Sequence, residues 1–126
     1  MSAVRVYLTL VSALCLGLGL MGLVWPERLA WLLLHSELPD VALGEWRART
    51  GGVPLVLALY ALYAGLSGRG QVSAVLVLVL FSGGLLLGRL ISIAADGWPG
   101  GWGAGFTILE AGALIVGLRL LLRWPR

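Results

Sequence analysis

Residues 72–95 read VSAVLVLVLFSGGLLLGRLISIAA, 24 positions with a single charge, Arg89. An α-helix needs about 20 apolar residues to cross the ~30 Å of bilayer hydrocarbon, so this stretch predicts a transmembrane helix. Strands of a membrane barrel would alternate polar and apolar residues over ~10-residue segments, and no such alternation is present. Outward from this span, Gly68-Arg69-Gly70-Gln71 reads as a tight turn on one side, and Asp96-Gly97-Trp98-Pro99-Gly100-Gly101 as a turn on the other. Beyond the turns lie apolar stretches at 51–67 and 102–122, the second ended by Arg123-Trp124-Pro125-Arg126. A further stretch at 6–25 is stopped by Pro26-Glu27-Arg28. Its apolar region is too long for a signal peptide, and it has no small-residue cleavage site leading into a polar domain.

The expected fold is therefore all-α: one integral membrane four-helix bundle over residues 1–126, antiparallel and up-down. Residues 26–50 form the one sizeable loop. Within it, Pro26 heads a short helix carrying Leu29, Trp31, Leu32 and Leu33, with proline suited to the first turn. That helix is too short to span and is expected to lie in the interface. Leu38-Pro39-Asp40 breaks it, and residues 41–50 are expected to extend the second span outward.

Composition agrees. Of 126 residues, 60% are hydrophobic and 12% charged, with mean hydropathy +0.97. Soluble domains average about 25% charged residues, so this chain cannot coat itself with a polar surface. All nine basic residues are arginines. The net charge of +3 does not indicate nucleic acid, because the arginines stand singly at the ends of apolar runs rather than along one face with aromatic partners. Cys15 is the one cysteine, so neither an intrachain disulfide nor a CxxC redox pair is available.

With four spans, one side of the membrane carries Arg5, Arg69, Arg119, Arg123 and Arg126 and no acids. The other carries Arg28, Arg47, Arg49 and Arg89 with Glu27, Glu37, Asp40, Glu45 and Asp96. The positive-inside rule counts arginines and largely ignores acids, which favours N-in and C-in in the inner (cytoplasmic) membrane. Trp25, Trp46, Trp98 and Trp102 then mark one interface and Trp124 the other.

Small residues recur at three- and four-residue steps: Ser12, Cys15, Gly19 and Gly22, then Gly51, Pro54, Ala58, Ala61, Gly65 and Gly68. Such spacing places each set on one helix face and lets backbones approach where lipid supplies no hydrophobic drive for association. Charges share these faces. Glu110 lies about 12 Å inside the fourth span at 1.5 Å per residue. Arg89 lies two turns below the end of the third span, Ser92 and Asp96 share its face, and Arg47 tops the small-residue face of the second. All are expected to converge on the outer half of the bundle. A lone charge at mid-membrane costs roughly 2.5–3.5 kcal/mol on insertion scales, so these groups should pair, Glu110 with Arg89 first. The candidate ligand-binding residues are Arg47, Arg89, Ser92, Asp96 and Glu110; a structural lock between spans three and four would satisfy the same electrostatics.

His35 has no second histidine or cysteine nearby, so neither a metal nor another cofactor is expected. Tyr60 and Tyr63 lie away from the small face of the second span, towards lipid or a neighbouring subunit. Arg119, Arg123 and Arg126 anchor the C-terminus among anionic headgroups.

Arg47-Ala48-Arg49-Thr50-Gly51-Gly52, Gly88-Arg89-Leu90-Ile91-Ser92 leading to Asp96-Gly97-Trp98-Pro99, and Leu109-Glu110 together resemble a widespread family of small bacterial four-span membrane proteins catalogued as a domain of unknown function. The resemblance covers nearly the whole chain and singles out Arg47, Arg89, Asp96 and Glu110, but implies no activity. A looser similarity of size and layout links the chain to DoxX-like four-span proteins, some associated with quinone-linked oxidation, though none of these residues carries that chemistry. Small multidrug exporters place their membrane glutamate in the first span, whereas here it is in the fourth. Fluoride channels need polar pore residues such as asparagine, which this chain lacks. An enzyme is poorly supported, with no Ser/His/Asp set and no phosphate-cradling loop. Two readings remain. One is a module that binds or moves a small polar or amphipathic ligand, lipid or quinone-like, at an outward-facing charged site among the membrane lipids. The other is a non-enzymatic structural or accessory subunit of a larger membrane complex; either a homo-oligomer or a membrane-protein partner is expected.

Overall fold

A computed structural model describes residues 2–125. Helix α1 (Ala3–Val24) starts at Ser2, whose hydroxyl accepts a bond from the Arg5 N–H at 3.3 Å. The helix begins a turn ahead of the apolar run because this cap satisfies one of the free N–H groups at its start. Helix α2 (Pro26–Leu34) has proline in its first turn and ends at His35, whose φ is 51° and whose ring stands edge-on to Trp31. A 3₁₀ turn (Asp40–Ala42), α3 (Leu43–Arg47), a π turn (Ala48–Gly52) and α4 (Val53–Ser67) follow. They run together as one 28-residue helical span, so the stretch ahead of Gly51 is continuous with the second membrane helix. Helices α5 (Gln71–Asp96) and α6 (Gly101–Leu122) complete an all-helical bundle with four helices long and apolar enough to cross a membrane.

The α4–α5 turn requires backbone that other residues rarely adopt, as do Gly97 and Gly101 at the turn after α5. Gly68 and Gly70 have φ of 76° and 67°, a left-handed conformation that costs side-chain-bearing residues energy. The two turns around α5 force antiparallel neighbours, and the bundle becomes two tight helix pairs, α1 on α4 and α5 on α6, joined through α4 and α5.

The α1–α4 pair shows what the small residues do. A Cβ placed on Gly22 would stand 2.5 Å from the Thr50 carbonyl oxygen, and one on Gly19 would stand 2.9 Å from the Leu55 nitrogen. No side chain fits between these backbones. Ala58, Ala61 and Ala64 continue the contact and are buried. Near the termini Tyr7 and Leu8 join Ala61, Ala64, Ala74, Val75, Leu78 and Val79 in one core. The Tyr7 hydroxyl also donates to the Ala113 carbonyl at 3.0 Å, tying α1 to α6. The Ser12 hydroxyl is turned back onto the Leu8 carbonyl, so this buried polar group is satisfied within its own helix.

This core does not run the length of the bundle. Every buried residue of α5 lies between Ala74 and Ser82, and none from Gly83 onward is buried. Helices α1 and α4 stay in contact towards the end carrying α2, whereas α5 loses its buried contacts there and the bundle opens on that side. Leu29 and Ala30 of α2 are buried against that open end.

Candidate functional site: a charged apolar cavity

Where the helices part, a cavity of about 400 Å³ opens among α1, α2, the π turn, α4, α5 and α6. Its wall is almost wholly apolar, with Leu18 from α1, Leu29 and Leu33 from α2, and Phe81, Phe106 and Trp102 from the last two helices. The charges on the wall are Arg49, Arg89 and Glu110. Volumes of this order with a few polar groups on an apolar lining are typical of small-ligand sites.

Arg89 and Glu110 meet as the sequence suggests. Arg89 Nε donates to Glu110 Oε2 at 2.6 Å, and Nη2 donates to Oε1 at 3.0 Å. The pair is a two-bond fork, the strongest form of arginine–carboxylate contact. It is partly buried, the side chains being 32% and 14% exposed. Each partner is the one charge deep in its helix, and the turn at residues 97–100 folds α6 back beside α5 so that the two reach the same depth. Glu110 occupies one edge of the guanidinium, leaving the Nη1 and Nη2 edge without a protein partner among the described residues.

The other expected members are placed differently. Asp96 ends α5 on the exposed surface, where it accepts a bond from the exposed Ser92 hydroxyl at 3.2 Å. Asp96 and Ser92 satisfy each other locally, and neither lines the cavity. Arg47 is exposed and also lies off the cavity, while Arg49 and Thr50 are on it. A π turn lies at this point. The Val53 N–H bonds to the Ala48 carbonyl, five residues back, and the extra residue in the turn rotates everything before it by about 100° relative to α4. A face extrapolated at 3.6 residues per turn from Gly51 reaches Arg47, whereas the residues on the cavity, Arg49 and Thr50, lie within the π turn itself. The Thr50 hydroxyl donates to the Trp46 carbonyl at 2.6 Å across this turn. A further ion pair joins Arg49 and Glu45 at 3.3 Å, with side chains 80% and 75% exposed; such surface pairs hold their partners weakly.

Arg49 and the role of α2 as a roof were the parts sequence reasoning missed. For Arg49 the one available signal was the Thr50-Gly51-Gly52 run, where a helix is easily widened. Comparison with curated proteins and with solved structures gave no match. Residues 3–121 match the domain of unknown function DUF4345. With almost its entire length covered by that match, the chain belongs to the DUF4345 family.

Proposed function

We propose that this membrane protein binds a small amphipathic ligand in the cavity, with the ligand's polar end at the Arg89–Glu110 pair and its apolar part against the leucine and aromatic wall. One observation carries the reading: a two-bond ion pair set into the wall of an apolar cavity of about 400 Å³. A pair serving only to join α5 and α6 needs no cavity beside it, and a cavity left by loose packing needs no charge on its wall. The arginine distribution supports placing the cavity end outward and both termini on the cytoplasmic side of a bacterial inner membrane.

Sparse burial on α6, where Thr107 and Gly117 are its buried residues, favours a second reading. In that reading the ion pair locks the bundle, and the exposed helix faces dock on a larger membrane complex. Native mass spectrometry of protein released from nanodiscs, comparing wild type with Glu110→Gln, separates the two. A defined small molecule held by the wild type and lost from the variant supports the binding site and names its chemistry. If nothing is retained and the variant only melts earlier, the pair is a lock.

A further inference from the structure

A second space adjoins the cavity. A second apolar groove runs along the seam between α1 and α6, lined by Ala3, Val6 and Leu10 on one side and Ile108, Gly112 and Val116 on the other. Val11, Leu14, Leu109 and Ala113 line both groove and cavity, so the two adjoin along these side chains. The seam is also where the bundle is most loosely joined: α1 packs closely on α4 and α5 on α6, whereas α1 and α6 touch lightly. From Ala3 to Leu14 the groove extends ~17 Å at 1.5 Å per residue. That is about one leaflet of a ~30 Å hydrocarbon core, the length of one acyl chain.

Chemistry at the cavity end selects the head of such a molecule. The lining carries two arginines, Arg89 paired with Glu110 and Arg49 only weakly held by the exposed Glu45. Glu110 takes the Nε and Nη2 edge of Arg89, and the remaining edge of the guanidinium can hold a second carboxylate in the same forked manner. The cavity volume suits one chain rather than two.

Resting on the binding function proposed above, we propose that the α1–α6 seam is a lateral entrance from the bilayer and that the occupant is a long-chain fatty acid. Its carboxylate lies on the free edge of Arg89, and its chain runs through the shared wall into the groove. Gly112 is the point at which to block this route. No atom lies within 4 Å of a Cβ placed there, so a larger side chain fills the groove without displacing backbone.

The test uses the full chain in phosphatidylcholine nanodiscs and palmitate bearing a mid-chain diazirine as photolabel. Saturable labelling is expected on residues 6–14 and 108–116, competed by palmitate and not by hexadecanol. Gly112→Trp should lower that labelling by about tenfold or more, and Val116→Trp, on the same groove wall, should act likewise while both variants keep the wild-type melting temperature. Saturable labelling unchanged in both tryptophan variants overturns the entrance. Equal competition by hexadecanol overturns the carboxylate. If native mass spectrometry finds a retained amphiphile but palmitate labels nothing saturably, this inference fails and the binding site stands. If neither experiment finds an occupant, both fail.

Discussion

Removing the carboxylate of Glu110 tests whether the ion pair holds the bundle, and by how much. With charge centres ~4 Å apart, an effective dielectric constant of ~20 gives an attraction of ~4 kcal/mol. Desolvation of both groups opposes this, and the Arg89 side chain keeps 32% of its exposure, so water still screens it. The net coupling should be about 2–3 kcal/mol, above a surface pair and below a fully buried one. Glu110→Gln leaves the guanidinium facing an apolar wall with a neutral partner. An arginine at mid-bilayer costs ~2.5–3.5 kcal/mol, and partial exposure should roughly halve that. We therefore expect Glu110→Gln, Glu110→Met and Arg89→Met each to lose ~1–2 kcal/mol. The double variant Arg89→Met with Glu110→Met should return to within ~0.5 kcal/mol of the wild type, because no charge is then left alone. Reversible unfolding in mixed micelles, run as a double-mutant cycle, measures the coupling directly. A coupling below ~0.3 kcal/mol, within the additivity error of such cycles, would refute the reasoning. A stable double variant that still retained the native ligand would show that the pair is not the binding head.

Four further outcomes follow from the packing. Gly22→Leu forces a side chain against the Thr50 backbone, 2.5 Å from its oxygen, and should cost ~3 kcal/mol or prevent folding. Gly84→Ala, with open space around its Cβ, should be neutral or gain up to ~1 kcal/mol from helix propensity in the same unfolding assay. Tyr7→Phe removes the bond to the Ala113 carbonyl and should lower stability by ~0.6 kcal/mol, the usual worth of an interhelical hydrogen bond in a membrane; no loss on thermal melting would mean that water or lipid already satisfies that carbonyl. Arg49→Gln breaks only an exposed pair, so stability should move by less than ~0.5 kcal/mol. Ligand retention in native mass spectrometry should nevertheless fall, since Arg49 lines the cavity.

How much of this was legible depends on which interactions decide each feature. The membrane spans follow from local hydropathy, since an apolar stretch in lipid must be helical to satisfy its own backbone. The pairing of Arg89 with Glu110 is legible for a similar reason. Each is a lone charge deep in an apolar run, and two up-down neighbours joined by a short turn must set them at related depths. Asp96 was harder: it shares the Arg89 face, but at the helix end it has water and the Ser92 hydroxyl, so nothing drives it inward. That Arg49 and not Arg47 lines the cavity was not legible, because Arg49 lies within the widened turn at Ala48–Gly52, which the pattern of residue types does not contain. That turn sits where Gly22 lets the α1 backbone press on Thr50 and Gly51. The close approach of α1 and the widening of the second span thus occur at one place, on the rim of the cavity. A substitution such as Gly22→Ala should therefore disturb the cavity charge through Arg49 as well as the packing, although residue 22 touches no charged group.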